Sequence, residues 1–325
     1  MLEVAWYSGR CLRCGRIPGS ARRGSHHRHN NIDGWRPALV VLGVVEPESI
    51  AKEVFVNNNV RLVIADVDGT LVTQNKVLTK RTVEAVKQLH DAGIAFSITS
   101  SRPPRGMQLL VDELALIRPL AAFNGGVLVR PDLSVISQRF VLADIAAQTI
   151  AAIVNHGLDA WVYTERDWLV HNAAGAHVEH EQCTVNFAPK VVSDFTSHLD
   201  CVAKIVGVSD NYQAVAACEI AVLEECGSHV SATRSQPYYL DVTHPDANKG
   251  NVVGVLSELL SIAPAQIATI GDMQNDVLMF RKSGFSIAMG NASTEVQRQA
   301  QFVTTSNEDD GFANAMEKFI LQARH

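Results

Sequence analysis

Asp66 and Asp68 stand two residues apart in Asp66-Val67-Asp68-Gly69-Thr70, directly behind the apolar run Leu62-Val63-Ile64-Ala65. Two carboxylates at that spacing can divide one reaction between them. One attacks an electrophile such as phosphorus; the other protonates the departing oxygen and then deprotonates a water. Gly69 lets the chain turn away sharply behind them. Taken alone, the pair also reads as two solvated turn residues.

Three further stretches carry related chemistry. Thr99-Ser100-Ser101-Arg102-Pro103 offers a hydroxyl at Ser100, loop N–H groups and the Arg102 guanidinium to a phosphoryl oxygen. Asn248-Lys249-Gly250 opens a run of helical period, so Lys249 sits at the positive end of a helix dipole. A lysine there costs stability unless an anion such as phosphate binds beside it. Gly271-Asp272-Met273-Gln274-Asn275-Asp276 adds carboxylates at Asp272 and Asp276. With Asp66 and Asp68 they form a negative cluster of oxygen ligands, the kind that a hard cation such as Mg²⁺ neutralises. Singly, these stretches also read as a polar loop, an exposed lysine and a solvated acidic turn.

The elements around these residues place them at strand ends. Leu62–Ala65, Ile94–Thr99, Leu120–Phe123, Ile267–Ile270, Phe285–Ala288 and Phe302–Thr304 read as short buried strands. Between them run helices: one capped by Thr79 and closed by Gly93, one near Gly106–Leu114, one carrying Val252, Val253, Leu256, Leu259 and Leu260, and one over Asp276–Lys282. Strand–helix alternation of this kind predicts an α/β fold with a doubly wound parallel sheet, and ligands in such sheets sit beyond the carboxyl ends of the strands. The middle of the chain is less regular. Helices over Ile145–Val154 and Asn211–Glu225, with strand-like runs at Ala160–Val162, Trp168–His171 and Ala203–Val208, predict a second α+β unit inserted into the first. The expected division is residues 60–141 and 236–325 for the main domain and 142–235 for the insert.

Together the four stretches resemble the four motifs of the haloacid dehalogenase superfamily of phosphatases, over Leu62 to the C-terminus. Phe123-Asn124-Gly125-Gly126, Asn248-Lys249-Gly250 and Glu308-Asp309-Asp310-Gly311 make the chain similar to the Cof-type (IIB) group. The resemblance implies a Rossmann-like core with a C2B cap and a Mg²⁺-dependent phosphatase acting on a small phosphorylated metabolite such as a sugar phosphate. It assigns Asp66 as nucleophile, forming an aspartyl-phosphate, and Asp68 as general acid/base with its carbonyl on Mg²⁺. Ser100, Arg102, Lys249 and Asn275 would hold the phosphoryl group. Asp272 would bind the metal directly and Asp276 would support it from behind. The group carries Thr-Gly-Arg where this chain has Ser100-Ser101-Arg102; the hydroxyl is kept and the glycine is not. In the cap, Trp161, Tyr163, Trp168 and His171 are candidates to face the leaving group or to form the cap's own core, and Arg166 and Arg234 are candidates for a second anionic group.

The 325 residues are 47% hydrophobic and 19% charged, with a net charge of −6. That balance disfavours nucleic acid as a partner, which wants a basic face. The longest apolar stretch, Ala38–Val45, is too short to span a bilayer. No secretory signal is recognisable and the six cysteines show no disulfide spacing, so a cytoplasmic protein is expected. Residues 1–59 hold eight Lys/Arg against five Asp/Glu, opposite in sign to the remainder. Cys11, Cys14, His26, His27 and His29 lie there without a zinc-site spacing. The segment reads as an extension without a fold, or as sequence upstream of a start near Val60. Two other functions share the motifs: phosphoryl transfer between sugar positions, as in phosphomannomutases, and phosphometabolite binding without catalysis.

Overall fold

The computed structural model describes residues 59–322. The expected N-terminal extension and its Cys/His cluster lie outside the described residues.

Fourteen strands are described: β1 (Leu62–Asp66), β2 (Ala95–Thr99), β3 (Leu120–Ala122), β4 (Val127–Val129), β5 (Val135–Gln138), β6 (Asp159–Tyr163), β7 (Trp168–Val170), β8 (Lys190–Val191), β9 (Lys204–Val208), β10 (Ser231–Gln236), β11 (Tyr239–Thr243), β12 (Ile267–Gly271), β13 (Phe285–Ala288) and β14 (Phe302–Val303). The helices that matter for the site are α1 (Lys80–Asp91), α2 (Ala143–Asn155), α3 (Val178–Val185), α4 (Tyr212–Cys226) and α5 (Lys249–Leu260).

The main sheet has the order β14-β13-β12-β1-β2-β3-β4-β5. Strands β14 through β3 pair in parallel. The core of the fold is thus the α/β parallel sheet expected. Every residue of β1 and β12 is buried, as befits central strands covered on both faces. The chain runs from β1 outward through β2 and β3, then returns to β12 on the other side of β1. Strand order therefore reverses between β1 and β12, and a doubly wound sheet opens a crevice at that reversal. The local signals act as read: Thr79 accepts from the Thr82 N–H to cap α1, and Gly93 leaves that helix with φ +70°.

Two features depart from the sequence reading. Strands β4 and β5 extend the sheet in antiparallel fashion at one edge. They are three and four residues long, too short for alternation to declare itself. The second sheet, order β10-β11-β9-β6-β7-β8, continues to Thr243, beyond the expected boundary at residue 235. Strand β11 was hidden because its Asp241 and Thr243 look solvent-facing in sequence yet are buried.

One face of this second sheet packs on α2 and α4 through Val162, Leu169, Ile205, Leu240 and Val242. The other face carries Trp161, Tyr163, Trp168, Val206 and Tyr239 into the same apolar cluster as Phe123 and Met107 of the main domain. No helix among the described residues is long and apolar enough to cross a membrane.

Candidate active site

Asp66 ends β1, and its side chain is buried against Lys249 and the turn that follows β12. Lys249 is the first residue of α5, whose cap Asn248 accepts from the Asn251 N–H. That cap fixes the helix start and aims the Lys249 side chain inward. Its Nζ donates to Asp66 Oδ1 at 2.5 Å and to Asp276 Oδ1 at 2.6 Å. The ammonium is 2% exposed, so the plain reading of an exposed lysine fails. Its burial is tolerable because two carboxylates pair with it.

Asp276 has no oxygen to spare. Its Oδ1 takes Lys249, and its Oδ2 accepts from the backbone N–H groups of Asp272 and Met273 at 2.9 and 2.8 Å. It shapes the turn and anchors the lysine. Asp272 accepts from Thr70 Oγ1 at 3.4 Å and from Asn291 Nδ2 at 3.2 Å. The Cβ of any residue at position 69 would run into the Asp272 carboxylate, and Gly69 has φ +84°, so both space and backbone demand glycine.

Carboxylate oxygens of Asp66, Asp272 and Asp276 lie within 4.8 Å of one another. Burial, opposed by Lys249 and reinforced by Asp276 and Asp272, pushes the Asp66 carboxyl well above its ordinary value. Burial and the neighbouring Asp276 likewise raise Asp272 to about 7, against the pull of Lys249. One ammonium does not offset this much buried negative charge. An all-oxygen cluster in that condition fits a hard divalent cation.

Asp68 lies on the other side of the turn, 28% exposed. Arg102 grips it with both arms of its fork, Nε to Oδ2 at 2.8 Å and a terminal nitrogen to Oδ1 at 2.6 Å, and Lys76 adds a third donor at 2.7 Å. Burial alone would raise this carboxyl, but Arg102 and Lys76 outweigh it and hold it at about 2. Arg102, expected at the phosphate, is thus engaged with Asp68, and it is itself nearly buried.

Ser100 follows β2 and is 1% exposed. Its hydroxyl oxygen accepts from the Arg102 N–H at 3.2 Å, which leaves the hydroxyl proton free to donate. Ser101, standing where the resembling proteins keep glycine, is not among the residues with positive φ, so serine fits that backbone. Asn275 donates to Asn124 Oδ1 at 3.4 Å, and its own Oδ1 is buried without a partner. Asn124 sits in Phe123-Asn124-Gly125, three consecutive residues at φ +49°, +56° and +104°. Such a run of left-handed backbone is costly and gathers at functional sites.

Sequence reasoning missed Asn291 and Asn307. Asn291 Nδ2 donates to Gly69 O at 2.9 Å as well as to Asp272, and its Oδ1 accepts from the Asn307 N–H at 3.1 Å. Asn307 in turn donates to Val72 O at 2.9 Å. The pair ties the loop behind Asp68 to the Asp272 carboxylate. Asn291 lies three residues past the carboxyl end of β13, on the loop side of the sheet where Asp66 and Asp272 also lie; that was the available signal.

The cap candidates divide. Trp161, Tyr163 and Trp168 are 2% exposed or less and pack on each other and on Phe123, with Tyr163 5.7 Å from the Phe123 ring. His171 lies against Phe195, which packs with the helix-covered face of the cap. Arg166 is exposed beside Glu165, and Arg234 pairs with Glu219 of α4 at 2.7 Å. Neither arginine is directed at the Asp66 site.

A family model described as haloacid dehalogenase-like hydrolase matches residues 63–316. The chain belongs to that family. A Haemophilus influenzae protein bearing a provisional phosphatase name is 28% identical over 260 residues, 79% of this chain and 97% of that one. The Bacillus subtilis 5-amino-6-(5-phospho-D-ribitylamino)uracil phosphatase YwtE is 24% identical over 287 residues, 80% of this chain and 98% of that one. A haloacid dehalogenase-like hydrolase from Bacteroides thetaiotaomicron superposes with TM-score 0.73 at 25% identity, covering 80% of this chain and 99% of the other. In this hydrolase family, the Cof-type likeness rests on the whole span of the matched chain, from β1 past β14.

Proposed function

We propose that the protein is a Mg²⁺-dependent phosphatase that hydrolyses a small phosphorylated metabolite through an aspartyl-phosphate on Asp66. The observation that carries this reading is Asp66 itself: a buried carboxylate at the reversal point of the sheet, paired with the Lys249 ammonium, with Asp68 two residues on and Ser100 just past the end of the neighbouring strand β2. Asp66, Asp272 and the backbone carbonyl of Asp68 would hold Mg²⁺, which when bound offsets phosphate charge and orients the ester for in-line attack.

The chain's own residues do the rest. Lys249 and the Ser100 hydroxyl hold phosphoryl oxygens, and the N-terminus of α5 adds its positive end. An Asp66 oxygen attacks phosphorus; the phosphorus–oxygen bond to the leaving group breaks, and Asp68 delivers a proton to that oxygen. Water then attacks phosphorus and gives a proton to Asp68. The bond between phosphorus and Asp66 breaks, releasing inorganic phosphate and restoring the enzyme. Asp68 is ionised while Arg102 and Lys76 grip it, so before the first turnover it must take a proton from solvent, which a bound phosphate that draws these cations toward itself would favour; in later turnovers the proton is the one received from the attacking water. Arg102 thereby serves both partners in turn.

The Bacillus subtilis relative acts on a phosphorylated ribitylamino compound and a Cronobacter sakazakii relative, 26% identical over 242 residues, is an HMP-PP phosphatase. Both names support a small phosphorylated molecule as substrate here. The test is release of inorganic phosphate from p-nitrophenyl phosphate. Wild-type protein with Mg²⁺ is expected to turn over; Asp66→Asn, or wild type with EDTA, is expected to release none above background. Near-normal turnover in the mutant would overturn the reading.

A further inference from the structure

Behind Asp68 the chain folds into a tight hairpin over residues 72–78. Val72 and Leu78 pair across it, the Thr73 N–H donates to Val77 O at 3.0 Å, and the Lys76 N–H donates to Thr73 O at 2.9 Å. The turn leaves Lys76 at φ +61°, in the left-handed region, where a lysine is strained. From there its Nζ reaches back to Asp68 Oδ1 at 2.7 Å, with 38% of the lysine side chain exposed. An ion pair that open to water adds little stability. Backbone strain without a matching gain in stability marks a position kept for function.

Asp68 is gripped from two separate elements. Arg102, from the loop behind β2, sets the plane of the carboxylate with its fork, and Lys76 pins Oδ1 from the hairpin. The hairpin is held in turn by the far end of the chain. The Gln74 N–H donates to Glu308 Oε1 at 2.7 Å, Asn307 Nδ2 to Val72 O at 2.9 Å, and Thr79 Oγ1 to Asp310 Oδ1 at 2.6 Å. A Cβ at position 311 would run into Thr305 O, so Gly311 lets this stretch fold back against its own loop. No step of the proposed reaction uses Glu308-Asp309-Asp310-Gly311, although the stretch stands out in the sequence.

We propose that Lys76 is a positioning residue for Asp68, and that Glu308 and Asp310 act through it by anchoring the hairpin. The inference rests on the phosphatase reading and adds to it the parts that orient its acid. A positioned general acid contributes about 10²–10⁴-fold, and only where the leaving oxygen needs a proton. p-Nitrophenolate departs readily without one, because the nitro group takes up its charge. Phenolate depends on the proton far more. The two esters share ring and phosphate, so a defect in binding or folding moves both alike, while a misplaced acid moves phenyl phosphate alone.

The test compares kcat/KM of the full chain with Mg²⁺ on phenyl phosphate and p-nitrophenyl phosphate. This constant covers the first displacement, in which the leaving group departs. The ratio of phenyl to p-nitrophenyl phosphate is expected to fall about tenfold in Lys76→Met, a part of the general-acid contribution. Lys76→Arg, which keeps a cation on Oδ1, is expected to recover most of it. Lys76→Gly removes the ammonium and relieves the left-handed backbone, so it gives the same reading if methionine disturbs the hairpin. Glu308→Ala is expected to lower the ratio by a smaller factor, and Glu308→Gln, which keeps an acceptor oxygen, to stay near wild type. An unchanged ratio in Lys76→Met or Glu308→Ala overturns the inference and leaves the phosphatase standing. So does an equal loss on both esters, or a wild type that uses p-nitrophenyl phosphate and not phenyl phosphate. Failure of the wild type on p-nitrophenyl phosphate overturns the phosphatase reading, and the inference with it.

Discussion

At the scale of single residues, the centre is built from charges that conflict without a cation. Asp272 held at about 7 binds a proton in the native protein across a range where the unfolded chain, with an ordinary carboxyl near 4, has lost it. Where the native state binds more protons, stability falls as pH rises. Metal-free protein is therefore expected to lose stability as pH climbs from about 4 through about 7 on account of this group, and Mg²⁺ is expected to restore it. Thermal melts with and without Mg²⁺ should show a larger gain in Tm at pH 8 than at pH 5. An equal gain at both would contradict a cation at this cluster. Asp68 acts in the opposite sense: held at about 2, its pairing with Arg102 and Lys76 stabilises above pH 4 and is lost as pH falls toward 2. Asp66, Asp68, Lys249 and Asp272 stood out in the sequence as candidates because each is a charge at a strand end or helix start, and the structure places Asp66, Lys249 and Asp272 in one buried cluster with Asp68 across the turn. Asn291 and Asn307 did not stand out, because they act through neutral hydrogen bonds to backbone and carboxylate, and nothing in an asparagine's type distinguishes that duty from a turn.

At the scale of elements, strand ends and one helix start do the positioning. Strands β1 and β12 deliver Asp66 and Asp272 from neighbouring positions in the sheet, and α5 delivers Lys249 from its first residue. The helix start depends on the Asn248 side chain. Asn248→Ala is expected to cost about 1 kcal/mol of stability, as lost N-caps do, and to raise KM for a phosphate ester by loosening Lys249. A melt and a Michaelis curve on one preparation check both, and an unchanged KM would detach the cap from the site. The parallel sheet was readable from its repeated buried runs. The edge hairpin β4–β5 was too short to read, and β11 escaped because Asp241 and Thr243 are polar residues at buried positions.

At the scale of the whole molecule, the groups proposed to act come from four separated stretches, and the second sheet is inserted between the second and the third. The chain from 66 to 310 supplies every side chain given a role here, and the family match begins at residue 63. Removing residues 1–58 is accordingly expected to leave phosphate release from p-nitrophenyl phosphate within about twofold of the full chain; loss of activity in a folded truncated protein would assign that segment a part in the reaction.

The central claim is covalent chemistry at Asp66. Its most direct measurement is an acid quench within the first turnover on a phosphate ester with Mg²⁺, followed by peptide mass spectrometry. The account predicts one added phosphoryl group on the peptide containing Asp66, labile to hydroxylamine and absent from Asp66→Asn. Full turnover with no phosphorylated Asp66 at any quench time, or a phosphoryl group on a different residue, would contradict it.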